Sequence, residues 1–166
     1  MHLRSYQQND KAACLSLIDG NTPEFFAPHE RDEFDAFLDD PGDRYWVVED
    51  EDRMVIGCSG YWLVPDTPVA VITWTMVARN RHNRGVGRWL LLTCLYHLCR
   101  LPAIRTVTLE TSQHITGFYE RVGGFCVQEI IENGYAPGLH TVKMRREMTS
   151  DDYATMAERL GVLRFP

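Results

Sequence analysis

The sequence has no apolar run approaching the ~18–20 residues that a membrane-spanning helix requires. Its opening, Met1-His-Leu-Arg-Ser-Tyr-Gln-Gln-Asn-Asp, lacks the apolar core of a secretory leader. It has 5 cysteines, at 14, 58, 94, 99 and 126, but no Cys-x-x-Cys pair. An odd, scattered set argues against a disulfide framework and against zinc, so a reduced chain without a metal is expected. There is no surplus of basic charge: 17 Lys and Arg against 23 Asp and Glu leave a net charge of -6. That disfavours nucleic acid as the main partner, because phosphate backbones select basic surfaces. Internal repeats, low-complexity tracts and dividing linkers are also missing. What remains is a cytoplasmic protein of 166 residues, 45% hydrophobic and 24% charged, expected to fold as one domain.

Periodicity places the elements. Residues 2–7 suit an edge strand, and Asn9-Asp10 offers an N-cap to a helix running to Gly20. Pro28 suits the first position of a helix over 28–39 with Phe34, Phe37 and Leu38 on one face. Strands at 44–49, 54–64 and 69–77, joined by short turns, predict an antiparallel meander. A helix over about 86–100 presents Val86, Trp89, Leu90, Leu92, Leu95 and Leu98, and Pro102 ends it. The strand at 104–110 follows that crossover helix and so should lie parallel to its predecessor. A short helix over about 114–122 ends at Gly123-Gly124. Strands at 125–132 and 139–148 flank Asn133-Gly-Tyr-Ala-Pro-Gly as a hairpin, and Ser150-Asp-Asp caps a closing helix outside the core.

The most informative stretch is the exit of the third meander strand. Val77 leads into Ala78-Arg-Asn-Arg-His-Asn-Arg-Gly-Val-Gly-Arg, and an apolar helix starts at once. Glycines admit close approach to backbone N–H groups, the helix start adds unpaired donors, and Arg79, Arg81, Arg84 and Arg88 add positive charge. The segment reads as a diphosphate cradle. A bare Gly-x-Gly is also a common helix-entry turn. A Walker loop is excluded, since no Lys-Ser/Thr pair follows the glycines. A dinucleotide-binding turn is disfavoured: Leu90 replaces its third glycine, and Ala78 to Arg84 is too long a loop.

With these features the chain resembles the GNAT superfamily of acyl-coenzyme A-dependent N-acyltransferases. The family's Arg/Gln-x-x-Gly-x-Gly/Ala loop reads here His82-Asn83-Arg84-Gly85-Val86-Gly87, with Val77 in the place of its strand-ending valine. A second signature, Leu-Tyr-Glu-Lys-Leu-Gly-Phe, is similar to Phe118-Tyr119-Glu120-Arg121-Val122-Gly123-Gly124-Phe125. The chain departs from the pattern in three places: His82 at the Arg/Gln position, the extra Gly124, and Ser112 where Asn is usual. The resemblance implies an α/β domain over 1–148, with 149–166 as a helical extension. Its sheet would be mixed and twisted, with about six to seven strands, helices on both faces and splayed central parallel strands. It implies acetyl-coenzyme A as co-substrate, its pantetheine arm pairing with Met76, Val77 and Ala78. The diphosphate would meet amides from His82 through Asn83, Arg84, Gly85 and Val86 to Gly87, with Arg88, Ser112 and Phe118 nearby.

The implied reaction is transfer of an acetyl group to a primary amine, small-molecule or peptide, by direct attack in a ternary complex. A homodimer is compatible with it. Such chemistry needs a neutral amine and a proton for the departing sulfur. Tyr119 matches the family's proton donor; the alternative is a tyrosine that only packs the short helix. No carboxylate lies in Thr73-Trp-Thr-Met, so Glu110 is the candidate base, directly or through water, or else an ordinary strand-end charge. His114 is a second candidate, and Cys58 or Cys126 as acyl-carrying nucleophile is disfavoured. Phe25, Phe26, His29, Glu30, Glu33, Tyr61 and Tyr135 fall where an acceptor should sit. The competing class is an acyl-coenzyme A-binding sensor or assembly module without turnover.

Overall fold

The computed structural model describes residues 1–161. Seven strands form one sheet: β1 (His2–Ser5), β2 (Tyr45–Glu49), β3 (Val55–Leu63), β4 (Val69–Val77), β5 (Thr106–Ser112), β6 (Cys126–Ala136) and β7 (Leu139–Glu147). Their order is β1-β2-β3-β4-β5-β7-β6. Short turns join β2–β3, β3–β4 and β6–β7, and these pairs, like β1–β2 and β5–β7, are antiparallel. The exception is β4–β5, made parallel by the crossover through helix α3 (Val86–Cys99).

Both faces of the sheet are covered. Helices α1 (Lys11–Asn21) and α2 (Glu30–Phe37) bring Cys14, Leu17, Ile18 and Phe34 against Tyr45, Val47 and Cys58. On the other face Leu91, Leu92, Leu95 and Leu98 of α3 pack on Ala70, Ile72, Val107 and Leu109. Adjacent Val47 and Val48 are both fully buried but belong to clusters on opposite faces, as a central strand requires. Helix α5 (Asp152–Gly161) lies on α3, stacking Tyr153 on Tyr96 and burying Met156 in the main core. The closing helix is thus part of the core, contrary to the expectation that it lies outside; residues 162–166 of the expected extension are outside the described residues.

Several boundaries shift for local reasons. Asp10 does not cap α1: its carboxylate accepts the Gln7 N–H at 2.8 Å and pairs with Arg4, closing a 3₁₀ turn over Gln8–Asp10. Helix α1 runs past Gly20 to Asn21, whose side chain bonds the Leu17 and Val77 carbonyls. Helix α2 begins at Glu30, not Pro28, because the Glu30 carboxylate takes the Ala27 N–H at 2.6 Å. The short helix is split into α4 (Thr116–Phe118) and a π-helical turn (Tyr119–Gly123). At α5 it is Asp152 of the expected Ser150-Asp-Asp segment that caps, accepting the Thr149 N–H at 2.7 Å.

Two irregularities shape the site. Strands β4 and β5 pair only from Val69–Thr106 to Val71–Thr108, then continue to Val77 and Ser112 without meeting. Between the pairs Cys58–Met76 and Gly60–Thr73 strand β4 carries one extra residue. Trp74 takes a left-handed φ of 46°, and its carbonyl is held by the Tyr45 hydroxyl at 2.8 Å. The bulge exchanges the faces of β4: Ala70 and Ile72 face α3, whereas Met76 faces α1 and Val77 returns to the α3 side. Its indole is turned onto Phe26, Phe34 and Phe37.

Candidate active site

The loop after β4 is built to leave donors open. Arg81 N–H bonds the Ala78 carbonyl and His82 N–H the Arg79 carbonyl, closing a 3₁₀ turn. Asn83 (φ 59°) and Gly85 (φ 85°) then adopt left-handed conformations that turn the chain into α3. The helical ladder starts with Trp89 N–H on the Gly85 carbonyl at 3.0 Å. The N–H groups of residues 83–88 therefore have no acceptor among the described residues, and the helix dipole adds to their pull on an anion. Gly57 lets the helix start sit close to the sheet: a Cβ there would stand 3.0 Å from the Met76 carbonyl and 3.2 Å from Val86, and these neighbours would have to give way by a few tenths of an ångström.

Of the four loop arginines, two are occupied. Arg79 pairs with Glu24 and lies over the Phe25 ring at 5.3 Å. Arg81 pairs with Asp50 at 2.8 Å. Arg84 and Arg88 have no carboxylate partner among the described residues, and Arg88 lines the adjoining cavity. Tertiary pairing thus leaves Arg84 and Arg88 as the two loop cations without a carboxylate among the described residues.

His82 is turned back onto the strand end. Its Nε2 lies 2.9 Å from the Val77 carbonyl, and since a carbonyl only accepts, Nε2 carries the proton. Asn21 donates to the same oxygen at 2.9 Å. The Ala78 N–H is taken by Ile56, so the antiparallel alternation directs the Val77 N–H into the gap beside β4.

That gap contains two adjoining cavities. The smaller, about 500 Å³, is lined by Met76, Val77, His82, Asn83, Gly85, Gly87, Arg88 and Phe118. Ala78, Arg84 and Val86 do not line it, and Val86 is packed in the core. The larger, about 730 Å³, is lined on one wall by Glu110 and Ser112 and on the other by Phe26, Glu30 and Glu33. Ser112, expected on the cofactor side, thus faces the larger cavity. Both cavities are bordered by Phe25, Phe26, Thr75, Ile115 and Tyr119.

Tyr119 therefore stands at the junction. It is 5% exposed, and burial pushes its phenol up to about 12 while the nearby Thr75 hydroxyl pulls the other way. Its ring is fixed edge-on against Phe118 and Phe125. Strand alternation puts Glu110 and Ser112 on one face of β5 while Leu109 enters the core. The Ser112 hydroxyl is buried without a hydrogen-bond partner in the described residues.

Five of the seven acceptor-side candidates line the larger cavity: Phe25, Phe26, Glu30, Glu33 and Tyr135. His29 is exposed away from it, and Tyr61 is buried in the core beside Trp46. Sequence reading missed Trp62, Trp74, Gln128 and Lys143, which the bulge and the β6–β7 hairpin bring to the same wall. His114 borders the smaller cavity, with its ring against Phe25. Neither Cys58, packed beneath the bulge, nor Cys126, on the outer strand, lines either cavity. Among the described residues no cluster of acidic, histidine and cysteine side chains is arranged for a metal, and no helix is long and apolar enough to cross a membrane.

A splayed β4–β5 pair, a donor-rich helix start and a buried tyrosine at the junction coincide with a family match. The model of the acetyltransferase (GNAT) family matches residues 14–125. The chain belongs to the GNAT family. A GNAT-family acetyltransferase from Desulfovibrio desulfuricans superposes with a TM-score of 0.70 at 24% identity, covering 88% of this chain and 98% of that one. The phosphinothricin acetyltransferase of Sinorhizobium meliloti, solved with acetyl-coenzyme A, gives 0.68 at 16% identity, covering 89% and 88%. The ribosomal-protein-S18-alanine N-acetyltransferase of Escherichia coli gives 0.71 at 17% identity, covering 89% and 94%. These similarities establish the GNAT fold. No curated protein sequence matches the chain.

Proposed function

We propose that this GNAT protein is an N-acetyltransferase that moves an acetyl group from acetyl-coenzyme A to a primary amine within a ternary complex. The observation that carries the reading is the meeting of two cavities at Tyr119, one flanked by free backbone donors and the other by carboxylates. A module that only bound the cofactor would need no second cavity.

The residues fit the cofactor. The N–H groups of residues 83–88 and the unpaired Arg88 suit a diphosphate, and the Val77 N–H suits an amide of the pantetheine arm. A Cβ on Gly87 would stand 3.6 Å from both Phe118 and Val77, so glycine keeps that floor open. Acetyl-coenzyme A supplies an activated thioester carbonyl and a sulfur that leaves as a thiol. Tyr119 holds its proton at the phenol oxygen, at the junction where that sulfur would lie. Glu110 faces the amine from the β5 wall and accepts its proton directly or through water. Phe25, Phe26 and Ile115 exclude bulk water from the junction, which strengthens both interactions.

Incubation with acetyl-coenzyme A and a panel of primary amines is expected to release free thiol above background. Retained cofactor binding with no release from any amine would overturn the reading in favour of a silent binding module. Gly87→Val is expected to weaken acetyl-coenzyme A binding by on the order of tenfold or more, about 1.4 kcal/mol, since its methyls enter the cavity floor. Unfolding temperature should move little, because the first contacts are ordinary ones. Calorimetric titration decides it; unaltered affinity would place the cofactor elsewhere.

A further inference from the structure

We propose that the acceptor cavity selects amines bearing a second positive charge, such as aliphatic diamines, with the second ammonium held by Glu30 and Glu33. The inference rests on the acetyl-transfer reading and names its substrate class. Three carboxylates line the larger cavity, Glu30, Glu33 and Glu110, against two cations, Lys143 and Arg145. Both cations are already neutralised: Lys143 pairs with Glu129 at 2.8 Å, and Arg145 pairs with Glu147. Glu33 and Glu110 make no hydrogen bond or ion pair among the described residues, and Glu30 has only the Ala27 N–H. Lys143 stands opposite Glu110 in the β5–β7 register and feels its charge, so the uncompensated negative charge of the cavity lies at Glu30 and Glu33.

The carboxylates are divided between two walls. Glu110 stands on β5 with Ser112, near Tyr119; Glu30 and Glu33 stand on α2. Burial pushes Glu30 up, and the neighbouring Glu33 adds to it against the Ala27 N–H and His29, the mark of a carboxylate held in a poorly solvated place. Tyr135 is pushed up by burial first and then by Glu30, Glu110, Tyr119 and Glu33, so both walls lie within electrostatic reach of one hydroxyl. An independent sign of a polar ligand is the Ser112 hydroxyl, 2% exposed and without a partner on the same cavity wall as Glu110. The stacked Phe26 and Trp74 rings, which line the same cavity, offer an apolar surface for methylenes. A molecule with an amine at each end and a methylene chain between matches this order. An amino acid would set its carboxylate against Glu30 and Glu33.

The test compares thiol release with α,ω-diaminoalkanes, n-alkylamines and ω-amino acids of matched chain length. Diamines are expected to exceed monoamines in kcat/KM by on the order of tenfold. The variant with both Glu30→Gln and Glu33→Gln should bring that ratio toward one. Glu33→Gln alone, at an exposed position with no structural partner, should lower the ratio and guards against misfolding of the double variant. Equal rates for diamines and monoamines, or preference for ω-amino acids, would overturn the inference while leaving acetyl transfer intact. Absence of thiol release with every amine would overturn both.

Discussion

Tyr119→Phe is expected to lower kcat by roughly 10²–10³-fold, the usual effect of removing one preorganised donor from a reacting centre. Cofactor affinity should change little, because the ring that packs between Phe118 and Phe125 remains. Burial pushes the phenol up to about 12, whereas a free thiol has a pKa of ~8.5, so complete proton transfer to the departing sulfur is uphill by about 5 kcal/mol. In the proposed reaction Tyr119 would donate a hydrogen bond to the charge developing on sulfur, and a proton lost by the ammonium would complete the thiol. A phenol raised toward 12 stays protonated through neutral and mildly alkaline solution, so its contribution is lost only as pH rises near that value. Steady-state kinetics of wild type and variant, measured from neutral pH to about pH 10, should show a constant ratio. A wild-type falling limb near pH 8–9 that disappears in Tyr119→Phe would refute the assignment, as would unchanged turnover.

Asp152→Ala is expected to cost about 3–5 kcal/mol of stability, because it leaves a buried guanidinium without its counter-charge. Arg146 and Asp152 form an ion pair with side chains only 11% and 8% exposed. Arg146 also donates to the Gly123 carbonyl, and its Nε has no partner. Asp152 further accepts the Thr149 N–H at 2.7 Å. The substitution therefore orphans two donors at the start of α5. At about 2–4 °C per kcal/mol for a chain of this size, the unfolding midpoint should fall by roughly 6–20 °C. The loss has a functional side. Gly123 ends the π-helical turn that begins at Tyr119, and Arg159 of α5 donates to its Val122 carbonyl at 2.7 Å. Loosening α5 is expected to slow turnover in the surviving folded fraction. Pairing Asp152→Ala with Arg146→Met should recover much of the stability. A single-variant loss below about 1 kcal/mol, read by urea unfolding, would show that the pair does not anchor the helix.

Much of the architecture is legible in one sequence because its cues are local. Alternation marks the meander, the apolar face of residues 86–98 marks the crossover helix, and that crossover dictates the parallel β4–β5 step. Tyr119 and the glycine loop are recognisable because their chemistry is confined to short segments. The missed residues have the opposite character. Trp74 reads as one more apolar residue in a strand, and Lys143 as a surface cation. Each reaches the larger cavity through partners distant in sequence. The pairing at the loop has the same character: Arg79 and Arg81 lack acidic neighbours in sequence and find Glu24 and Asp50 in space.

By itself the sequence determined the order of strands and helices, the open donors at the start of α3 and the placement of a tyrosine after the parallel step. These follow from backbone periodicity, glycine conformation and helix-end geometry, all set within a few residues. Tertiary structure alone decided how far β4 and β5 part, which face of β4 each residue presents beyond Trp74, and which charges stay unpaired in the gap. The reason is that a bulge, a splay and an ion pair are settlements between segments far apart in the chain, where packing and desolvation act on residues whose own neighbours carry no sign of them.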